Sequence, residues 1–142
     1  MTRIDFYVQK QINQTTHEHF ICKITEKAWQ NQHEIFLLCA NTEQVNRLDE
    51  LLWTFSSASF IPHSSTCDDG GETVILSTEK KTLRNYEILI NLTNDVPEYA
   101  GKFSRIIEST GYNEAMRANA RGKYKYYKDR GYPLFTHEIG KT

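Results

Sequence analysis

A chain of 142 residues with 39% hydrophobic and 12% aromatic content can close one core and is too apolar for disorder, so a single domain over 1–142 is expected. A net charge of −1 argues against a general nucleic-acid binder, which carries a broad basic excess. The charge is uneven, because residues 111–142 hold seven Lys/Arg against three Asp/Glu while residues 1–110 hold ten against fifteen, and this favours one local anion site.

In chain order, an alternating β-prone run predicts a first strand over 4–8. Thr15-Thr-His-Glu18 matches a capping box, in which hydroxyl and carboxylate serve free N–H groups at a helix start. Phe20, Ile21, Ile24 and Ala28 then fall at helical spacing, carrying the helix to about Asn31. The run Glu34-Ile-Phe-Leu-Leu-Cys-Ala40 is continuously apolar after its first residue, the mark of a strand buried on both faces of a parallel sheet. Asn41, with Gln44 three residues on, caps a second helix whose apolar face is Val45, Leu48, Leu51 and Leu52. A Ser/Asp/Gly-rich loop over 55–71 follows, and 73–76 and 87–92 read as strands. Pro97 suits the first turn of a helix running towards Phe103. Residues 105–110 read as a strand, and a final helix over 113–130 closes at Gly131 as its C′ residue. The alternation predicts an α/β fold: a Rossmann-like open, mostly parallel sheet flanked by helices.

The final helix is the most informative segment. At 100° per residue, Arg117, Arg121, Tyr124, Lys125 and Lys128 share one arc, and Met116, Ala120, Tyr127 and Gly131 lie on the adjoining face, which is expected to pack inward. Lys123, Tyr126 and Arg130 are expected to point elsewhere. A line of cations beside an apolar seam, with Tyr124 at the boundary, suits an acidic ligand carrying an apolar or aromatic end. Taken alone, such a face is more often merely solvated.

Other chemistry is poorly supported. The turn after the first strand reads Gln9-Lys-Gln-Ile-Asn-Gln-Thr15, without the glycines a dinucleotide requires, and no Walker-type phosphate loop occurs. His17 and His19 sit about 200° apart on a helix, read as solvent-exposed, and share no metal. Cys22, Cys39 and Cys67 form no Cys-x-x-Cys pair and no disulfide framework, which fits a reducing cytoplasm. Cys22 and Cys39 read as core, and Cys67 as the one thiol to test for reactivity. His63, Cys67, Asp68 and Asp69 share a loop, but no spacing orders them as nucleophile, base and orienter. No apolar run approaches the ~20 residues of a membrane span. The expectation is a soluble, cytoplasmic, non-enzymatic protein with no metal, no cofactor and no membrane partner.

Three stretches together resemble the chi subunit of bacterial DNA polymerase III, a component of the clamp-loader assembly. They are Arg47-Leu-Asp-Glu-Leu-Leu-Trp53 continuing through Ser59-Phe-Ile-Pro-His63, then Ile88-Leu-Ile-Asn-Leu92, and Arg121-Gly-Lys-Tyr-Lys-Tyr-Tyr-Lys-Asp-Arg-Gly-Tyr132. The resemblance covers essentially the whole chain and implies a Rossmann-like domain without nucleotide binding. It also implies two partners: the psi subunit, which links chi to the clamp loader, and the acidic C-terminal tail of the single-stranded-DNA-binding protein, which ends in a phenylalanine carboxylate. By residue match Arg121, Tyr124, Lys125, Lys128 and Gly131 occupy tail-binding positions, and Arg117 extends their line. Arg121 is the first choice for the carboxylate or an adjacent acid, since a guanidinium can engage it with two parallel bonds. At Lys128 the family motif can carry arginine, so a point charge replaces a planar fork. The first stretch suggests the psi-binding face: Trp53, Phe60, Ile61 and Pro62, with His63 as support. Arg47 and Asp49 read as an ordinary surface pair. The sequence leaves open whether a repair helicase shares the psi patch. The implied role is a non-catalytic adaptor that meets DNA only indirectly. Two rivals are a direct single-stranded nucleic-acid-binding module built on the basic helix and an enzyme on a Rossmann-like sheet.

Overall fold

The computed structural model describes residues 2–9, 13–54, 63–64, 74–78, 87–98 and 100–139. In chain order the elements are β1 (Arg3–Gln9), α1 (Gln14–Gln30), β2 (Ile35–Leu38), α2 (Thr42–Thr54), β3 (His63–Ser64), β4 (Val74–Ser77), β5 (Ile88–Asn91), a single 3-10 turn (Ala100–Lys102), β6 (Arg105–Ser109), α3 (Glu114–Asp129) and β7 (Leu134–Ile139). One seven-stranded sheet runs β3-β4-β2-β5-β6-β1-β7. Every pairing in it is parallel, from Ile35↔Val74 and Ile35↔Ile88 in the middle to Ile4↔Ile106 and Ile4↔Leu134 towards the β7 edge. The expected Rossmann-like α/β class is therefore the observed one.

The continuous apolar run at β2 follows from this placement. Successive strand residues point to opposite faces, and both faces are covered. Ile35 and Leu37 join Ile21, Cys22 and Ala28 of α1 and Leu48 and Leu52 of α2 on one side. Phe36 and Leu38 join Ala120 and Tyr127 of α3, with Ala100 and Phe103 around the 3-10 turn, on the other. Helices thus flank both faces of the sheet.

Local signals differ in places. Asn13, not Thr15, caps α1, its Oδ1 accepting from the Thr16 N–H at 2.8 Å. Glu18 is buried instead of capping, and its carboxylate accepts three bonds of 2.8–3.1 Å from the Arg47 guanidinium, tying α1 to α2. Arg47 is therefore an inter-helix clamp and not an ordinary surface residue. The Asn41/Gln44 cap is present: Asn41 Oδ1 accepts from Gln44 N–H and Gln44 Oε1 from Ala40 N–H, each at 2.8 Å. The helix expected from Pro97 shrinks to the 3-10 turn, and two strands were missed, β3 and β7. His17 is buried, contrary to its reading as exposed: its Nε2 meets Ser109 Oγ at 2.9 Å, and burial, with the Lys123 cation second, lowers its pKa to about 4. Cys22 and Cys39 are free and buried, and burial, helped by the Glu18 carboxylate, pushes both thiols up to about 12. Cys67, Asp68 and Asp69 lie outside the described residues.

Candidate functional site

The site is built on α3, whose two ends are fixed by local chemistry. Asn113 Oδ1 accepts from the Met116 N–H at 2.9 Å at the start. At the other end Gly131 N–H donates to Lys128 C=O at 3.0 Å and Tyr132 N–H to Tyr127 C=O at 3.1 Å, the paired bonds of a Schellman cap. Gly131 has φ +79°, and a Cβ there would meet nothing within 4 Å. Its role is the left-handed turn, so the expectation that it packs inward is corrected: it is exposed.

Rotation of α3 about its axis is set by a buried polar cluster that helix-wheel reasoning missed. Glu108, fully buried on β6, accepts from Lys123 Nζ at 2.6 Å, from the Tyr127 hydroxyl at 2.6 Å and from Asn91 Nδ2 at 2.9 Å. Lys123 Nζ also donates to Thr93 C=O at 2.8 Å. Lys123 is thus an inward-facing anchor, not an outward cation. Burial first, and the facing Glu108 charge second, raise the Tyr127 phenol above its ordinary pKa, so it remains a donor. With Ala120, Lys123 and Tyr127 turned in, the helix presents its other cations to solvent. The signal that could have located this cluster is Glu108 itself, a carboxylate in the strand Arg105-Ile-Ile-Glu-Ser109, where burial demands a cationic or donor partner.

Five of the residues expected at the tail site are brought together on that outer surface. Arg121 is open, with 68% of its side chain exposed; Lys125 and Lys128 are exposed, and Arg117 is half-buried. Tyr124 is 38% exposed and meets Phe6 of β1 edge-on at 5.3 Å between ring centres. A cationic line therefore borders an aromatic surface rooted in the sheet. Arg121 and Arg117 both reach Glu114, at 3.3 and 4.0 Å. Further along, the Arg130 guanidinium lies 3.6 Å over the Tyr126 ring.

The second expected patch is only partly described. Trp53, at the end of α2, is 47% exposed. Phe60, Ile61 and Pro62 lie outside the described residues, and His63 opens the edge strand β3, paired with Val74 of β4. Among the described residues no three His, Cys, Asp or Glu side chains gather to hold a metal, and no helix is long and apolar enough to cross a membrane.

Comparison with known proteins gives this arrangement a family. The family model described as DNA polymerase III chi subunit, HolC, matches residues 1–135. DNA polymerase III subunit chi of Pseudomonas aeruginosa is 36% identical over 139 residues, covering 98% of each chain. The Escherichia coli subunit chi is 29% identical over 122 residues, covering 84% of this chain and 83% of its own. Among solved structures, T4 UvsW superposes with a TM-score of 0.70 at 7% identity, over 97% of this chain and 41% of that one, a likeness of fold alone. The chain belongs to the family of the DNA polymerase III chi subunit, an accessory and not a catalytic part of that enzyme.

Proposed function

We propose that this chi-family chain is a replisome adaptor that joins the clamp loader, through the psi subunit, to single-stranded DNA coated by its binding protein. The observation that carries the reading is the outer face of α3, where Arg117, Arg121, Lys125 and Lys128 line up beside Tyr124 and its Phe6 support. Arginine and lysine neutralise the acids of the binding protein's C-terminal tail, and a guanidinium receives its terminal carboxylate. The half-exposed Tyr124 ring offers the tail's phenylalanine an edge or a face. The psi subunit takes the patch around Trp53, in keeping with an indole left nearly half exposed at a helix end. Each tail contact is weak. Tethering to the holoenzyme, near many tails on one strand, raises the effective concentration without new contacts.

The test is fluorescence anisotropy with a labelled acidic peptide ending in Asp-Phe-carboxylate. Binding should fall about two- to fivefold on Arg121→Ala or on amidating the peptide's C-terminus, the range of a solvent-exposed charge pair. It should also weaken as salt rises. Binding of bare single-stranded oligonucleotide in place of the peptide would replace the adaptor with a direct nucleic-acid surface. Peptide binding unaffected by Arg121→Ala would keep the function and move the site.

A further inference from the structure

We infer that Glu114 is an internal competitor for the anion site, occupying Arg121 until an acidic ligand displaces it. The inference rests on the tail-receptor reading and deepens it. Glu114 is the first residue of α3, its side chain is 78% exposed, and it lies 3.3 Å from Arg121 and 4.0 Å from Arg117. Two guanidinium groups of the cation line are thus already turned towards a carboxylate that belongs to the chain itself. An incoming carboxylate that takes Arg121 exchanges one ion pair for another. The released Glu114 stays at the N-terminal end of α3, where the unpaired N–H groups and the helix dipole favour a negative charge. The exchange is therefore inexpensive but yields little gain at Arg121 alone.

Further attraction then comes from Lys125 and Lys128, both exposed and, among the described residues, paired with no acid. A ligand with a single carboxylate gains little by displacing Glu114, whereas one with several acids also meets the two lysines. Glu114 on this account sets a threshold of ligand charge, and selects a run of acids over an isolated carboxylate.

The experiment titrates the same labelled peptide against wild type, Glu114→Gln, Arg121→Ala and the double variant at low salt. Glu50→Gln, an exposed acid on α2, controls for the change in net charge, and Glu114→Ala repeats the change without an amide. Glu114→Gln and Glu114→Ala should tighten binding about two- to fivefold, the range of an exposed ion pair. Most of that gain should vanish in the Arg121→Ala background. A wild type that binds while Glu114→Gln binds no tighter than Glu50→Gln overturns the inference and leaves the tail-receptor reading standing. A gain undiminished by Arg121→Ala also overturns it, since the effect would then be a general field. Absence of wild-type binding overturns the tail-receptor reading and this inference with it.

Discussion

Lys123 and Glu108 face each other with 7% and 0% of their side chains exposed, and removing one partner strands the other's charge. Lys123→Met should destabilise the fold by about 3–5 kcal/mol, as breaking a buried pair generally does. Adding Glu108→Gln, which keeps an acceptor for Tyr127 but no charge, should restore at least half of the loss. Urea denaturation of the wild type and the two variants measures both effects. His17 supplies a second residue-scale test. Its ring is buried and its Nδ1 has no hydrogen-bond partner among the described residues, so protonation is opposed and the pKa falls from 6.5 to about 4. Between those values the unfolded chain binds more protons than the folded one. Stability is therefore full above pH 6.5 and declines as the pH falls towards 4, by about 2 kcal/mol between pH 7 and 5. Chemical denaturation at the two pH values should show that decline, and His17→Phe should flatten it. Asp5 acts lower in the range: burial opposes its ionisation, but hydrogen bonds from His137 and Arg105 outweigh burial and hold its pKa below 3.8. Its contribution is accordingly lost only under stronger acid.

At the scale of elements, the ends of α3 explain why one glycine matters. Gly131→Ala puts a Cβ on a residue at φ +79° without any clash, so the cost is conformational, about 1 kcal/mol. A fall of roughly 3 °C in melting temperature is expected, measurable by calorimetry. Elements buried on both faces were legible in the sequence, β2 and β5 above all, because such a strand is filled mainly by consecutive apolar residues. Strand β7 was not. Phe135, Thr136 and Glu138 on it are exposed and Leu134 and His137 only half-buried, so its pattern carries no clean period of two. The site showed the same division. The spacing of Arg117, Arg121, Lys125 and Lys128 gave the outward arc directly, while the inward turn of Lys123 depended on Glu108, distant by 15 residues in sequence. Helical spacing states which residues share a face and does not state which cation a neighbouring strand will claim.

For the molecule as a whole, the uneven charge and the sheet order act together. The exposed cations of α3 sit on one flank of a chain whose net charge is only −1, so a ligand meets a local field and not a global one, and raising salt towards a Debye length of about 8 Å should weaken tail binding without altering the fold. The sheet order has a consequence for biosynthesis. Of the seven described strands β1 is made first, yet its neighbours are β6 and β7, with Ile4 aligned to Ile106 on one side and Leu134 on the other. The β2–β4 and β2–β5 pairings close over far shorter stretches of chain. During translation the middle of the sheet can assemble while β1 waits with both edges open, and such distant pairings are slow to form. The α3 face rests on Ile4 and Phe6 of that same strand. A nascent chain halted before residue 134 would therefore carry every cation of the binding face while lacking one of the two strands that hold its floor in place.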